Sequence, residues 1–218
     1  MIDEDLLVYL ENFISEERRE RFISVLESRT RHITVAIEDV FQLHNTSAVI
    51  RSCEVFGIQD AHVIENKFGK RLDKNIAMGA QQWVDVHRYK NTLGCIKTLK
   101  SQGYKIVATT PHDNAVLLDD FKIDDKVALF FGTERDGLSQ EVMDNADQFL
   151  KIPMQGFTES LNISVAAAIM LQNLGDKLRK TSLPWPLQED EKRAKRLDWT
   201  KKSIKSITEI LGRYHQKK

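Results

Sequence analysis

Apolar residues are spaced along this chain in two alternating rhythms. Short β-branched runs of four to six residues alternate with longer segments whose apolar positions recur every three or four residues. The first rhythm predicts buried strands and the second amphipathic helices. Residues 3–29 carry Leu6, Leu7, Leu10 and Phe13, then Phe22, Val25 and Leu26, which predicts one or two helices. Ile33–Ile37, Ala61–Ile64, Val84–His87, Lys105–Thr109, Val127–Phe131 and Gln148–Ile152 read as strands. Between them, helices are predicted over Ser47–Phe56, Thr92–Ser101, Ser139–Asn145 and Leu161–Arg179, the first closed by Gly57 and the second by Gly103. A short helix is expected ahead of Val84. After Pro184-Trp185-Pro186, a last helix is expected from about Glu189 to Tyr214. Strands alternating with helices predict an α/β fold, with a mainly parallel sheet covered by helices on both faces. The Gly-x-Gly-x-x-Gly of a dinucleotide fold is missing after the first strand, where Glu38-Asp39-Val40-Phe41-Gln42 stands instead.

The 218 residues suffice for one ordinary domain with extensions, and 41% hydrophobic with 29% charged residues fits a globular, water-soluble chain. No apolar run approaches a membrane span, so no membrane partner is expected. Met1-Ile2-Asp3-Glu4-Asp5 is acidic, unlike a signal peptide, and the expected compartment is the cytoplasm. Cys53 and Cys95 are isolated and lack metal-ligand spacing, which favours small buried apolar roles and no metal. None of the six histidines forms a metal-like or nucleophile–base pair along the sequence. The net charge is zero, which argues against a nucleic-acid partner, but it is unevenly spread. Residues 176–218 hold thirteen Lys/Arg against six acids, a surplus of +7 that the rest of the chain cancels. A basic arm on an acidic body and a solvated lysine-rich face both explain this.

Three segments carry candidate chemistry: Asn45-Thr46-Ser47-Ala48-Val49-Ile50-Arg51, Phe131-Gly132-Thr133-Glu134-Arg135-Asp136-Gly137-Leu138, and Ile152-Pro153-Met154-Gln155-Gly156-Phe157-Thr158-Glu159-Ser160-Leu161-Asn162-Ile163-Ser164-Val165-Ala166. The loops Thr109-Thr110-Pro111, Gly132-Thr133-Glu134 and Ile152–Gly156 end strands expected to lie together, and ligands of open α/β sheets bind beyond such carboxyl ends. Arg51 shares a helix face with the small Ala48, so a phosphate could approach its guanidinium in bidentate fashion. Glu134, Ser160 and Asn162 are also ordinary helix-capping residues, and Asn45 could brace its own turn.

Together and in this order, the three segments resemble the signature motifs of the SpoU/TrmH family of RNA ribose 2′-O-methyltransferases, over roughly residues 30–175. The resemblance implies a C-terminal deep trefoil knot, which pattern reasoning alone would never propose. It implies S-adenosylmethionine as cofactor, held mainly by main-chain groups at Thr109, Gly132, Ile152 and Leu161. It also implies a catalytic set of Arg51, Asn45, Glu134, Ser160 and Asn162. A guanidinium stays protonated in proteins, so Arg51 is expected to organise an RNA phosphate rather than act as a free base. The divisions implied are an N-terminal helical extension (1–30), the methyltransferase domain (31–179) and a basic C-terminal helical extension (180–218). Such extensions resemble the tRNA-modifying members, implying a homodimer that methylates guanosine 18 in the tRNA D-loop. Arg18, Arg19, Arg21, Arg29, Arg31 and the basic tail would then contact phosphates. Ribosomal RNA, another tRNA position, or a non-catalytic RNA-binding module remain alternatives.

Overall fold

Strand β1 (Ile33–Glu38) is buried at all six positions, as a strand covered on both faces must be. In the computed structural model, which describes residues 3–39, 43–65, 79–111, 114–133 and 136–216, the chain forms two compact units, 30–185 and 1–29 with 186–218.

The larger unit holds a seven-stranded sheet in the order β3-β2-β1-β6-β4-β7-β5, with every pairing parallel. The further strands are β2 (Asp60–Ile64), β3 (Asp85–Tyr89), β4 (Lys105–Thr109), β5 (Val116–Leu117), β6 (Val127–Phe131) and β7 (Gln148–Lys151). The helices are α3 (Leu43–Val55), α4 (Thr92–Ser101), α5 (Gln140–Asn145) and α6 (Ile163–Arg179), with a 3-10 turn at Ala80–Gln82.

Period-two alternation divides the core into two layers. Ile33, Val35 and Ile37 of β1 and Val127, Leu129 and Phe131 of β6 pack beneath α3 and α6, with Val49, Ile50, Leu171 and Leu174. Ala36, Ala128 and Phe130 face the other way, towards Ile96 and Leu99 of α4 and Val142 of α5. Cys53 and Cys95 are buried thiols, one in each layer. Burial, with Glu38 nearby, pushes the Cys95 thiol up to about 12, which leaves it unreactive.

Three local expectations need correction. Helix α3 begins at Leu43, so Asn45 lies inside its first turn, not in a turn before it. The two-residue strand β5, too short to show a period, joins the edge beyond β7. The final helix is broken: Ile204 is extended (φ −96°, ψ 118°), separating α7 (Glu189–Ser203) from α8 (Ile207–Gln216). That break carries the β-branched Ile204 into a small core with Ile210, Tyr214, Leu6 and Leu10.

The smaller unit pairs α7 and α8 with α1 (Glu4–Glu11) and α2 (Glu16–Leu26), capped by Asp3 and Ser15 respectively. Its two halves are oppositely charged. Lys192 pairs with Glu27 at 2.6 Å, Arg193 with Glu4 at 3.0 Å, and Arg196 with Glu11. Over the whole unit, fourteen Lys/Arg meet thirteen Asp/Glu, so the basic tail is largely matched by the net acidic residues 1–29. Arg29, expected at a phosphate, is instead buried with its guanidinium 5.4 Å from the Trp199 ring.

In the larger unit Arg31 is likewise engaged. It joins Asp60 and, at 2.9 Å, Asp85, at the amino ends of β2 and β3. His87 Nε2 lies 2.8 Å from the second Asp60 oxygen, and the His62 ring stacks on His87 at 4.8 Å. Burial alone would raise the Asp60 pKa, but His87 and Arg31 hold it below the usual carboxylate range. His62 is buried mid-strand, and burial with His87 beside it lowers its pKa to about 4. A histidine kept neutral in the fold loses stability as pH falls from its unfolded value towards its folded one. His62 therefore withdraws about 3 kcal/mol between pH 6.5 and about 4, and Asp60 acts only below that window. Replacement of His62 by Phe is expected to flatten the pH dependence of unfolding free energy across that interval, measured by denaturant titration. An unchanged slope would exclude His62 as its source.

Candidate functional site

The carboxyl ends of β4, β6 and β7 are adjacent in the sheet, and the loops leaving them enclose a cleft of about 460 Å³. This is a volume suited to a ligand of cofactor size. Thr109, Thr110 and Pro111 line it from β4, and Gly132, Thr133, Asp136, Gly137 and Leu138 from β6. Lys151, Ile152, Met154, Glu159, Ser160 and Leu161 line it from β7, with Gln140 and Met143 of α5 and Ile163, Ala166 and Met170 of α6. All four positions expected at a cofactor, Thr109, Gly132, Ile152 and Leu161, line this one cleft, and so does Ser160.

Backbone hydrogen bonds fix its walls. The Thr109 hydroxyl donates to the Phe130 carbonyl at 2.7 Å, and Thr110 N–H to the Leu150 carbonyl at 3.0 Å, tying the first loop to both neighbouring strands. In the second loop Thr133 and Gly137 exchange two N–H···O bonds of 3.0 Å, and Asp136 N–H donates to the Thr133 hydroxyl at 2.9 Å. Gly137 takes the left-handed φ of 69° that such a closure requires. Gly132 is held by a different constraint: a Cβ there would lie 2.1 Å from the Gly137 carbonyl oxygen. The two limbs of the loop thus touch backbone to backbone at the edge of the cleft.

The third segment ends where α6 begins. Asn162 is the N-cap of α6, accepting from Ser164 N–H at 2.9 Å, which satisfies one of the helix's unpaired donors. With its amide nitrogen it donates to Asn45 Oδ1 at 3.2 Å. Asn45 is 2% exposed. This contact joins the first and third motifs across 117 residues and accounts for an asparagine inside a helix. Capping and motif pairing are done by the same side chain.

Arg51 lies exposed on α3, and neither it, Asn45 nor Asn162 lines the cleft itself. Glu134 falls outside the described residues. The cleft also contains residues that motif reasoning passed over: Asp136, Lys151 and Glu159 supply its charges, and Gln140 and Met143 form a wall. Asp136 and Glu159 stand inside the quoted segments, Lys151 ends β7, and nothing in the sequence marks Gln140 and Met143 of α5.

Residues 32–172 match the SpoU rRNA Methylase family. Along 94% of this chain and 95% of its own length, the tRNA (guanosine(18)-2′-O)-methyltransferase of Borreliella burgdorferi is 43% identical. The crystal structure of the A. aeolicus TrmH/SpoU tRNA modifying enzyme superimposes with a TM-score of 0.77 at 28% identity, covering 87% of this chain and 98% of that one. The same fold recurs in the SpoU methyltransferase AviRb of Streptomyces viridochromogenes, solved in complex with the cofactor AdoMet. There the TM-score is 0.63 at 20% identity, over 73% of this chain and 65% of that one. The chain belongs to the SpoU methylase family.

The two glycines of the second loop predict different costs. Gly132→Ala must push backbone from backbone and is expected to lower unfolding free energy by about 2–3 kcal/mol, as overpacking does. Gly137→Ala has open space around its Cβ and bears only the strained φ, at about 1 kcal/mol. Equal losses in chemical denaturation would refute the close-approach account of Gly132.

Proposed function

We propose that this protein transfers the methyl group of S-adenosylmethionine to the 2′-hydroxyl of guanosine 18 in the D-loop of tRNA. The observation that carries this reading is the meeting of the second and third motifs with the Thr109–Pro111 loop at one cleft, to which the Asn45–Asn162 bond ties the first motif, in a chain 43% identical to a guanosine-18 methyltransferase.

The described residues fit the cofactor. A nucleoside is recognised at close range by backbone N–H and C=O groups, and Gly132 and Gly137, which have no side chains to shield their backbone, both line the cleft. Thr109, Ile152 and Leu161 complete that cradle from the flanking loops. Asp136 and Glu159 place carboxylates at a cleft meant for a cationic sulfonium. S-adenosylmethionine bound there supplies an activated methyl group on an excellent leaving group.

The chain then has to position the ribose and ease loss of its proton. Arg51 clamps a phosphate of the RNA through its planar fork, which fixes the sugar and stabilises the oxygen as it gains charge. Asn45 and Asn162 hold α3, and so Arg51, in register with the loop that contains Ser160. Ser160, in the cleft, is within that loop to orient the hydroxyl. Glu134 completes the set as the residue that orients the arginine or the third loop.

Three finer features belong to the same reading. The domain assignment is 31–179 for methyl transfer with helical extensions 1–30 and 180–218, whose cations left over from internal pairing meet tRNA phosphates. The 152–179 region is the knotted part. Support for this comes from strand order, since β6 sits between β1 and β4 while β7 lies beyond β4 and α6 returns to α3. The enzyme works as a cytoplasmic homodimer. Val55 of α3 and Val165 and Ile169 of α6 leave exposed apolar side chains on two mutually packed helices, a surface suited to a second subunit. Among the described residues no helix is long and apolar enough to cross a membrane, and no group of His, Cys, Asp or Glu is arranged to hold a metal ion.

Incubation with labelled S-adenosylmethionine and tRNA, followed by nucleotide mapping, is expected to find one 2′-O-methylated guanosine at position 18. Label on a base, at another ribose, or on ribosomal RNA alone would defeat the assignment. Arg51→Ala is expected to keep the melting temperature and S-adenosylmethionine affinity within about twofold while lowering turnover by at least ~100-fold. A matching loss of cofactor affinity would show that Arg51 belongs to the cofactor site.

A further inference from the structure

At the carboxyl end of β1, Glu38 is a buried carboxylate, 3% exposed, that belongs to none of the three motifs. Three donors converge on it. Ser139 gives its N–H to Oε2 at 2.8 Å and its hydroxyl to Oε1 at 2.7 Å, and the Thr92 hydroxyl donates to the same Oε1. Thr92 opens α4 and Ser139 is the N-cap of α5, so the carboxylate stands between two helix N-termini, where negative charge is favoured. A carboxylate suits this place because it accepts on both oxygens and carries the charge, whereas a glutamine would drop the charge and require the Ser139 and Thr92 hydroxyls to turn and accept from its NH₂ group.

The Ser139 contacts bear on the cleft. Ser139 directly follows Gly137 and Leu138 and precedes Gln140 and Met143, and all four of those neighbours line it. The wall from 137 to 143 is therefore fastened to the sheet through one side chain 101 residues away. We propose that Glu38 is a positioning residue for the cofactor: through Ser139 it sets the position of the 137–143 wall, and hence affinity for S-adenosylmethionine, without touching the reacting atoms. This rests on the methyl-transfer reading above and adds to it a residue that acts from outside the cleft. The link to Thr92 serves α4, which contributes nothing to the cleft lining. Glu38 thus has one contact that matters for ligand binding and one that matters for the fold.

That division makes the test. Glu38→Gln is expected to raise KM and Kd for S-adenosylmethionine about tenfold, with kcat at saturation and KM for tRNA within about twofold. Ser139→Ala, which keeps the backbone N–H bond to Glu38, is expected to raise the same KM about threefold. Thr92→Val removes the other donor and should lower the melting temperature while leaving KM for S-adenosylmethionine unchanged. Glu38→Asp, which keeps the charge, should recover part of the lost affinity. Unchanged cofactor KM in both Glu38→Gln and Ser139→Ala, or an equal rise in Thr92→Val, overturns the proposal and leaves Glu38 a stabilising residue only. If Glu38→Gln fails to fold, Ser139→Ala and Thr92→Val still decide it. Calorimetry on the wild type separates the two levels. Wild-type binding with unaltered variants sinks this inference alone, whereas absence of wild-type binding removes the methyl-transfer reading and this one with it.

Discussion

Strand β6 is the constraint on which the larger unit depends. Val127–Phe131 is wholly apolar and wholly buried, and it lies between β1 and β4 although β4 precedes it in the chain. Its odd residues fill the layer under α3 and α6 and its even ones the layer under α4 and α5, so both halves of the core close on one strand. The chain that leaves it has to turn at Gly132, between the ends of β4 and β1. Burial of five consecutive side chains thus aims a glycine loop at the cleft.

The cleft built there is walled by three strand-end loops and by α5 and α6. Its tightest point is a contact between Gly132 and the Gly137 carbonyl, and its charges, Asp136, Lys151 and Glu159, sit around it. The polar side chains of the motifs are divided between two duties. Ser160 faces the cleft, while Asn45 and Asn162 spend their hydrogen bonds on each other and on the start of α6. Glu38 performs a similar service for the wall at α5. A site of this type gains specificity from where rigid elements end, and side chains one step away hold those ends still.

Charge is used for assembly as well as for binding. The acidic N-terminal segment and the basic α7 fold together through Glu4, Glu11 and Glu27, which face Arg193, Arg196 and Lys192. Exposed pairs of this kind add little stability one by one, but together they leave the unit almost neutral. The surplus of +7 in the tail is in large part the complement of residues at the other end of the chain.

The sequence by itself determined the layered α/β architecture, because strands buried on both faces must be unbroken apolar runs and covering helices must show a 3.6-residue period. It also marked the loops of the cleft, since Gly132, Pro153 and Gly156 interrupt those periods at strand ends. Tertiary structure decided what depends on partners distant in the chain. Asn45 looked like a turn residue until Asn162, 117 positions away, held it inside a helix. His62 offered no pairing along the sequence until the fold stacked it on His87 beside Asp60. Ser139 was legible only as a helix start and Glu38 not at all, because their contact acquires meaning only when the fold brings their atoms within hydrogen-bond reach. Local pattern fixes elements whose energy comes from a whole face being buried. Single polar contacts between remote residues have no period to read, and only the folded chain brings them into being.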